Sequence, residues 1–144
     1  METLLISACL MGYNCKYNGG NNALPEDVLA SLRQRYRLIP VCPEGAGGLP
    51  TPRIPSERRG DRVITRDGRD VTAEFRRGAE LAGKLALRFD AHAALLKANS
   101  PSCGSGTIYD GSFSGTLVPG DGVTAEYLKH KNLIISTNPS TFTV

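Results

Sequence analysis

The chain has 144 residues, 40% apolar and 22% charged, which suits one compact soluble domain over residues 1–144 and leaves little for a second. Lys and Arg outnumber Asp and Glu by 17 to 14, too small an excess to argue for a nucleic-acid partner. No apolar run approaches membrane-spanning length; Leu5-Ile6-Ser7-Ala8-Cys9 has the pattern of a lipidation box, but no basic region precedes it and its apolar stretch is too short for export. A cytoplasmic location is therefore expected. Thiols are kept reduced there, so the four cysteines point to metal or reactive-thiol chemistry before structural disulfides.

In chain order, Leu4-Leu5-Ile6-Ser7-Ala8 reads as a buried strand running into Cys9. A loop dense in glycine and asparagine follows, from Met11 to Asn22, and holds Cys15. Leu24-Pro25-Glu26-Asp27 opens a helix, with Pro25 at its first position and Val28, Leu29, Leu32 and Tyr36 on the buried stripe. Leu38 to Val41 is the next strand, completing a β-α-β unit and ending in Cys42-Pro43-Glu44. From Pro43 to Arg69 periodicity is weak; Pro50, Pro52 and Pro55 exclude helix across this excursion, and Arg62 to Thr65 with Asp67-Gly68 suggests a small hairpin. The arginines of this stretch, Arg53, Arg58, Arg59, Arg62, Arg66 and Arg69, fit a solvated face better than a phosphate-binding patch. Thr72 is the expected N-cap of the clearest helix, with Phe75, Ala79, Ala82, Leu85, Ala86 and Phe89 on one face. Ala91 to Leu96 is a strand leading to Asn99-Ser100-Pro101-Ser102-Cys103-Gly104, and His92 within it reads as a satisfied core residue. A long loop follows, with a hairpin near Asp110-Gly111. Asp121 or Thr124 would cap a last helix ending near His130, and Leu133-Ile134-Ile135 is a short final strand. The pattern is α/β, with a mainly parallel sheet that presents long loops at the carboxyl ends of its strands.

That arrangement brings Cys9, Cys42 and Cys103 to three strand ends although no C-x-x-C pair exists. The local spacings of zinc ribbons and ferredoxins are absent, but a site assembled from strand ends does not need them. Three thiolates at one edge can hold an iron-sulfur cluster and leave one iron without a protein ligand, free to bind a soft sulfur atom as a Lewis acid. The bland alternative is a set of buried, inert cysteines. Cys15 is open between a fourth ligand, a spectator and a disulfide partner. Glu44 is placed to act as general base for water, or to pair with an arginine; Ser100 is placed to orient water or substrate, or to stabilise a turn. Arg53 could neutralise a cluster, anchor an anion, or form a surface salt bridge.

Ile6-Ser7-Ala8-Cys9-Leu10-Met11-Gly12, Cys15-Lys16-Tyr17-Asn18-Gly19-Gly20, Pro40-Val41-Cys42-Pro43-Glu44, Gly47-Gly48-Leu49-Pro50-Thr51-Pro52-Arg53, Ser100-Pro101-Ser102-Cys103-Gly104 and Gly120-Asp121-Gly122-Val123-Thr124 together resemble the bacterial thiouracil desulfidase family, over nearly the whole chain. The resemblance implies a single Rossmann-like, three-layer domain and a [4Fe-4S] cluster held by Cys9, Cys42 and Cys103. It also implies Glu44 and Ser100 as the catalytic pair, and non-redox desulfuration of a small thiolated nucleobase such as 2-thiouracil. Lys16 and Asn18 stand where the family more often carries Arg and Asp, a change that bears on substrate preference and leaves the thiols untouched. Two other readings use the same residues: a sulfide carrier or sulfur transferase, and a non-catalytic zinc or thiol-redox binding module.

Overall fold

A computed structural model describes residues 1–143. In chain order the elements are β1 (Glu2–Ser7), α1 (Glu26–Arg35), β2 (Tyr36–Val41), α2 (Pro43–Ala46), β3 (Ser56–Arg59), β4 (Arg62–Thr65), α3 (Thr72–Arg88), β5 (Ala91–Leu95), β6 (Thr107–Tyr109), β7 (Leu117–Pro119), α4 (Val123–His130) and β8 (Ile134–Ser136), with 3-10 turns at Ala8–Met11 and Pro139–Thr141. The main sheet has four parallel strands in the order β2-β1-β5-β8.

β1 is central because its side chains are apolar on both faces. Leu4, Leu5 and Ile6 are fully buried, each worth about 1.5–3 kcal/mol of transfer free energy. Alternation along the strand sends Leu4 and Ile6 to one side, where they meet Leu32 of α1, and Leu5 to the other, where it meets Ala82 and Ala86 of α3 and Leu128 of α4. The result is the expected three-layer α/β arrangement. The chain leaves β1 toward β2 on one flank and reaches β5 on the other. Strand order thus reverses between β1 and β5, the place where open α/β sheets leave a crevice beyond their strand ends.

Several local expectations shift. The excursion after β2 is not free of helix: α2 is a single turn, with Pro43 at a position whose missing N–H costs nothing and Ala46 N donating to Cys42 O at 2.8 Å. The hairpin involving Arg62 to Thr65 closes on its other side, through β3 and the turn at Gly60, while Gly68 N donates to Thr65 O in a second turn. Thr72 is the first residue of α3, not its cap; its Oγ1 accepts from Val63 N and its own N–H goes to Asp70 Oδ1, both at 2.9 Å. Neither Asp121 nor Thr124 caps α4, whose N-cap is Gly122. Pro25 stands one position earlier than expected, at the N-cap of α1, and Tyr36 begins β2. His92 is no core residue: its side chain is 81% exposed and pairs with Asp90. Arg58 departs from the solvated-face reading. Its guanidinium is nearly covered and holds Gly60 O, Asp121 O and Glu126, tying β3 to the start of α4.

Candidate active site

Each strand end contributes in its own way. β1 passes directly into the 3-10 turn that carries Cys9. Cys9 O accepts from Gly12 N and Asn22 N, which folds the glycine- and asparagine-rich loop back over the strand end. β2 ends at Val41, so Cys42 becomes the N-cap of α2 and Glu44 lies in its first turn. Beyond β5, Lys97 N donates to Ser7 Oγ at 2.9 Å, joining the ends of the two central strands. The following loop is closed by Ser100, whose Oγ accepts from Ser102 N at 3.1 Å and Cys103 N at 2.9 Å. Amides at the start of α4 bind the carbonyls of this loop: Val123 N to Pro101 O, Thr124 N to Ser102 O and Gly122 N to Gly104 O. A side chain at Gly122 would collide with the Ser102 backbone, so glycine is required for that approach.

Cys9, Cys15, Cys42, Cys103, Glu44 and Ser100 all line one cavity of about 500 Å³ at the crevice between β1 and β5. The Glu44 carboxylate is held at both oxygens. Arg53 Nε donates to Oε1 at 3.1 Å and Ser102 Oγ donates to Oε2 at 3.2 Å. The Arg53 side chain is only 7% exposed, so this is a buried pair and not a surface bridge. Its Nη2 donates to Cys15 O at 3.0 Å and its backbone N to Tyr17 O at 2.7 Å; one arginine therefore fixes both the carboxylate and the loop forming a cavity wall. Asn18 caps its own turn by accepting from Gly20 N, and Lys16 lies on the cavity wall, so neither disturbs the thiols.

The sulfurs lie close enough to influence one another's protonation. Burial pushes the Cys103 thiol up to about 11, with Glu44 and Cys9 adding to it and the nearby hydroxyls of Ser102 and Ser7 working against it. Burial raises Cys15 to about 12, reinforced by Cys42 and Cys9 and opposed by Arg53. Cys9 is raised as well, mainly by burial, with Asn22 and Lys97 pulling it down. Such thiols keep their protons until a cation displaces them, which is how a metal centre captures cysteine ligands. Among the described residues no group of three or more His, Cys, Asp or Glu side chains stands ready to hold a metal ion. The donors themselves, sulfur atoms on the wall of one cavity, are of the soft kind that iron-sulfur clusters take.

The thiols foreseen at strand ends, with Glu44 and Ser100, are brought together. Ser102, Ser7, Asn22 and Lys97 were not anticipated. Lys97 could have been found by the strand-end argument applied to β5; the Asn22 contact to Cys9 was hidden in a segment that reads only as turn-forming.

These features define a doubly wound α/β protein whose switch-point crevice carries thiol donors and a fixed carboxylate. The 2-thiouracil desulfurase family model matches residues 4–138, and the chain belongs to that family. It is 40% identical over 146 residues to the uncharacterized protein YbbK of Bacillus subtilis (strain 168), covering 94% of this chain and 95% of that protein. Among solved structures it is similar to the [4Fe-4S]-dependent thiouracil desulfidase TudS, with 47% identity and a TM-score of 0.90 over 94% of this chain and 89% of that one.

Proposed function

We propose that this chain, as a single domain over residues 1–144, is a [4Fe-4S]-dependent desulfidase that replaces the sulfur of a small thiolated nucleobase by oxygen without redox change. The observation that carries this reading is the gathering of three strand-end thiols and a doubly held carboxylate around one cavity. Cys9, Cys42 and Cys103 would hold the cluster. When bound, it supplies a Lewis-acidic iron without a protein ligand, suited to a thiocarbonyl sulfur.

The chain's own residues supply the rest. Glu44 accepts a proton from the attacking water, and a carboxylate with one partner on each oxygen still has lone pairs to do so. Arg53 holds that carboxylate in place. Ser100 lies on the cavity wall beside them, and its hydroxyl, bonded to the amides of Ser102 and Cys103, sets the shape of the loop that faces the substrate. The balance is hydrolytic: water oxygen bonds to carbon, the carbon–sulfur bond breaks, and both protons leave with sulfide. No described helix is long and apolar enough to cross a membrane, and a site of reduced thiols suits the cytoplasm.

Anaerobic reconstitution, iron analysis and sulfide release from 2-thiouracil test the proposal. The expected result is about four irons per chain, as the cluster type requires, with sulfide released and both lost in Cys42→Ala. A fully loaded protein that releases no sulfide, or a colourless protein holding one zinc ion, overturns it.

A further inference from the structure

Ser100 and Glu44, the two residues assigned to catalysis, do not touch in the hydrogen-bond network; Ser102 stands between them. Its Oγ is 3.1 Å from Ser100 Oγ, 3.2 Å from Glu44 Oε2 and 3.5 Å from Cys103 Sγ, and the residue is 2% exposed. A hydroxyl has one hydrogen and two acceptor sites, which makes the direction of these bonds decidable. Ser100 Oγ already accepts from the amides of Ser102 and Cys103, so both of its acceptor sites are filled. Across the Ser100–Ser102 contact Ser100 must therefore be the donor. The single hydrogen of Ser102 is then free for Glu44 Oε2 or for Cys103 Sγ, and the carboxyl oxygen is both nearer and a stronger acceptor than sulfur.

We infer that Ser102 is a positioning residue for Glu44, the middle of a directed chain from Ser100 Oγ through Ser102 Oγ to Glu44 Oε2; its catalytic consequence rests on the function proposed above. Arg53 holds Oε1 alone and leaves the carboxylate free to pivot about that contact; Ser102 supplies the second fixed point. At 2% exposure solvent competes little for that contact. The same loop carries Cys103, so the carboxylate is registered against a thiol ligand through one side chain and one peptide bond.

The test is Ser102→Ala, with Ser102→Thr as the variant that keeps the hydroxyl. In the cluster-free protein, the crystal structure of Ser102→Ala should show the Glu44 carboxylate turned away from its wild-type position. In the reconstituted enzyme, iron content should be unchanged and KM for 2-thiouracil little altered. The kcat should fall about 10²-fold, the size expected for a reacting group misplaced by about 1 Å, and Ser102→Thr should recover most of it. Glu44 unmoved with kcat retained overturns the inference, as does a loss of activity that only follows loss of iron. If Ser102→Ala fails to fold, Ser102→Gly, which also lacks the hydroxyl, takes its place in the same structure and assay. If the wild-type enzyme releases no sulfide, the proposed function fails, and the structure of cluster-free Ser102→Ala still judges the placement of Glu44.

Discussion

Gly78 offers the sharpest test of how the site is held, because two effects of one substitution oppose each other there. It lies inside the 17-residue helix α3, where replacing glycine by alanine gains about 1 kcal/mol of helix propensity. A Cβ at this position, however, would fall more than 1 Å inside the 3.0 Å limit that real Cβ atoms observe against the carbonyl oxygen of Pro43. Gly47 is the reciprocal case, facing Glu74 O, so α2 and α3 pack backbone to backbone with no side chain to yield. Overpacking costs about 1–3 kcal/mol where neighbours can adjust, and a carbonyl fixed in a helical turn adjusts poorly, so the clash should win. Gly78→Ala is expected to lose about 1–2 kcal/mol net, lowering Tm by about 3–8 °C for a chain of this size. Calorimetry of the cluster-free protein measures it. Gly83→Ala in the same helix is the control, since its Cβ would meet only the Tyr127 ring at 2.7 Å, a side chain able to rotate. A Gly78→Ala protein that melts at or above wild type refutes the reasoning. Because α2 carries Glu44 and is capped by Cys42, the same displacement should also depress kcat.

Arg53→Ala leaves the Glu44 carboxylate without its main partner in a nearly enclosed site, so urea denaturation should reveal a loss of about 3 kcal/mol; a loss of a few tenths would class the pair with exposed salt bridges. In the cluster-free protein the contribution of Cys103 should be fully present below pH 9 and be lost as pH rises toward 11, because folding raises its thiol from 9.0 to about 11 and the native state then holds a proton the unfolded chain releases. Denaturation at pH 8, 10 and 11 checks that direction, and iodoacetamide at pH 8 should spare Cys103. Asp70 is lowered from 3.8 to about 2 by its bonds from Thr72 and Arg62, so its contribution is present above about pH 4 and fades toward pH 2. Asp70→Asn should remove that part of the acid limb from the stability curve, and an unchanged limb would place the effect elsewhere.

The strands and the thiols at their ends were legible in the sequence because the signal is local. Leu4 to Ile6 can only be a buried run, and a parallel sheet sends every such run to the same edge. The long helix α3 was legible for the same reason, through its apolar face. What failed was end chemistry. Thr72 looks like a cap in isolation, yet its hydroxyl is taken by Val63 N from a strand nine residues earlier. Arg58 looks solvated amid its arginine neighbours, yet it is bound to Glu126, 68 residues away. His92 looks buried because it sits in a strand, but its side chain points to solvent and pairs with Asp90. In each case a long-range contact or the orientation of one side chain decided, and neither leaves a periodic trace.

The same distinction separates the two halves of the site. Cys9 and Cys42 follow directly on β1 and β2, so the sheet brings them together, while Cys103 depends in addition on the loop that Ser100 closes. The carboxylate is placed by side chains that reach across the sequence: Ser102 to Glu44 over 58 residues and Arg53 to the Cys15 carbonyl over 38. A related chain can therefore keep every thiol and still lose the placement of this carboxylate, the proposed base, through one exchange at Ser102 or Arg53. Cluster binding and turnover are separable properties of this fold, and the thiols alone announce only the first.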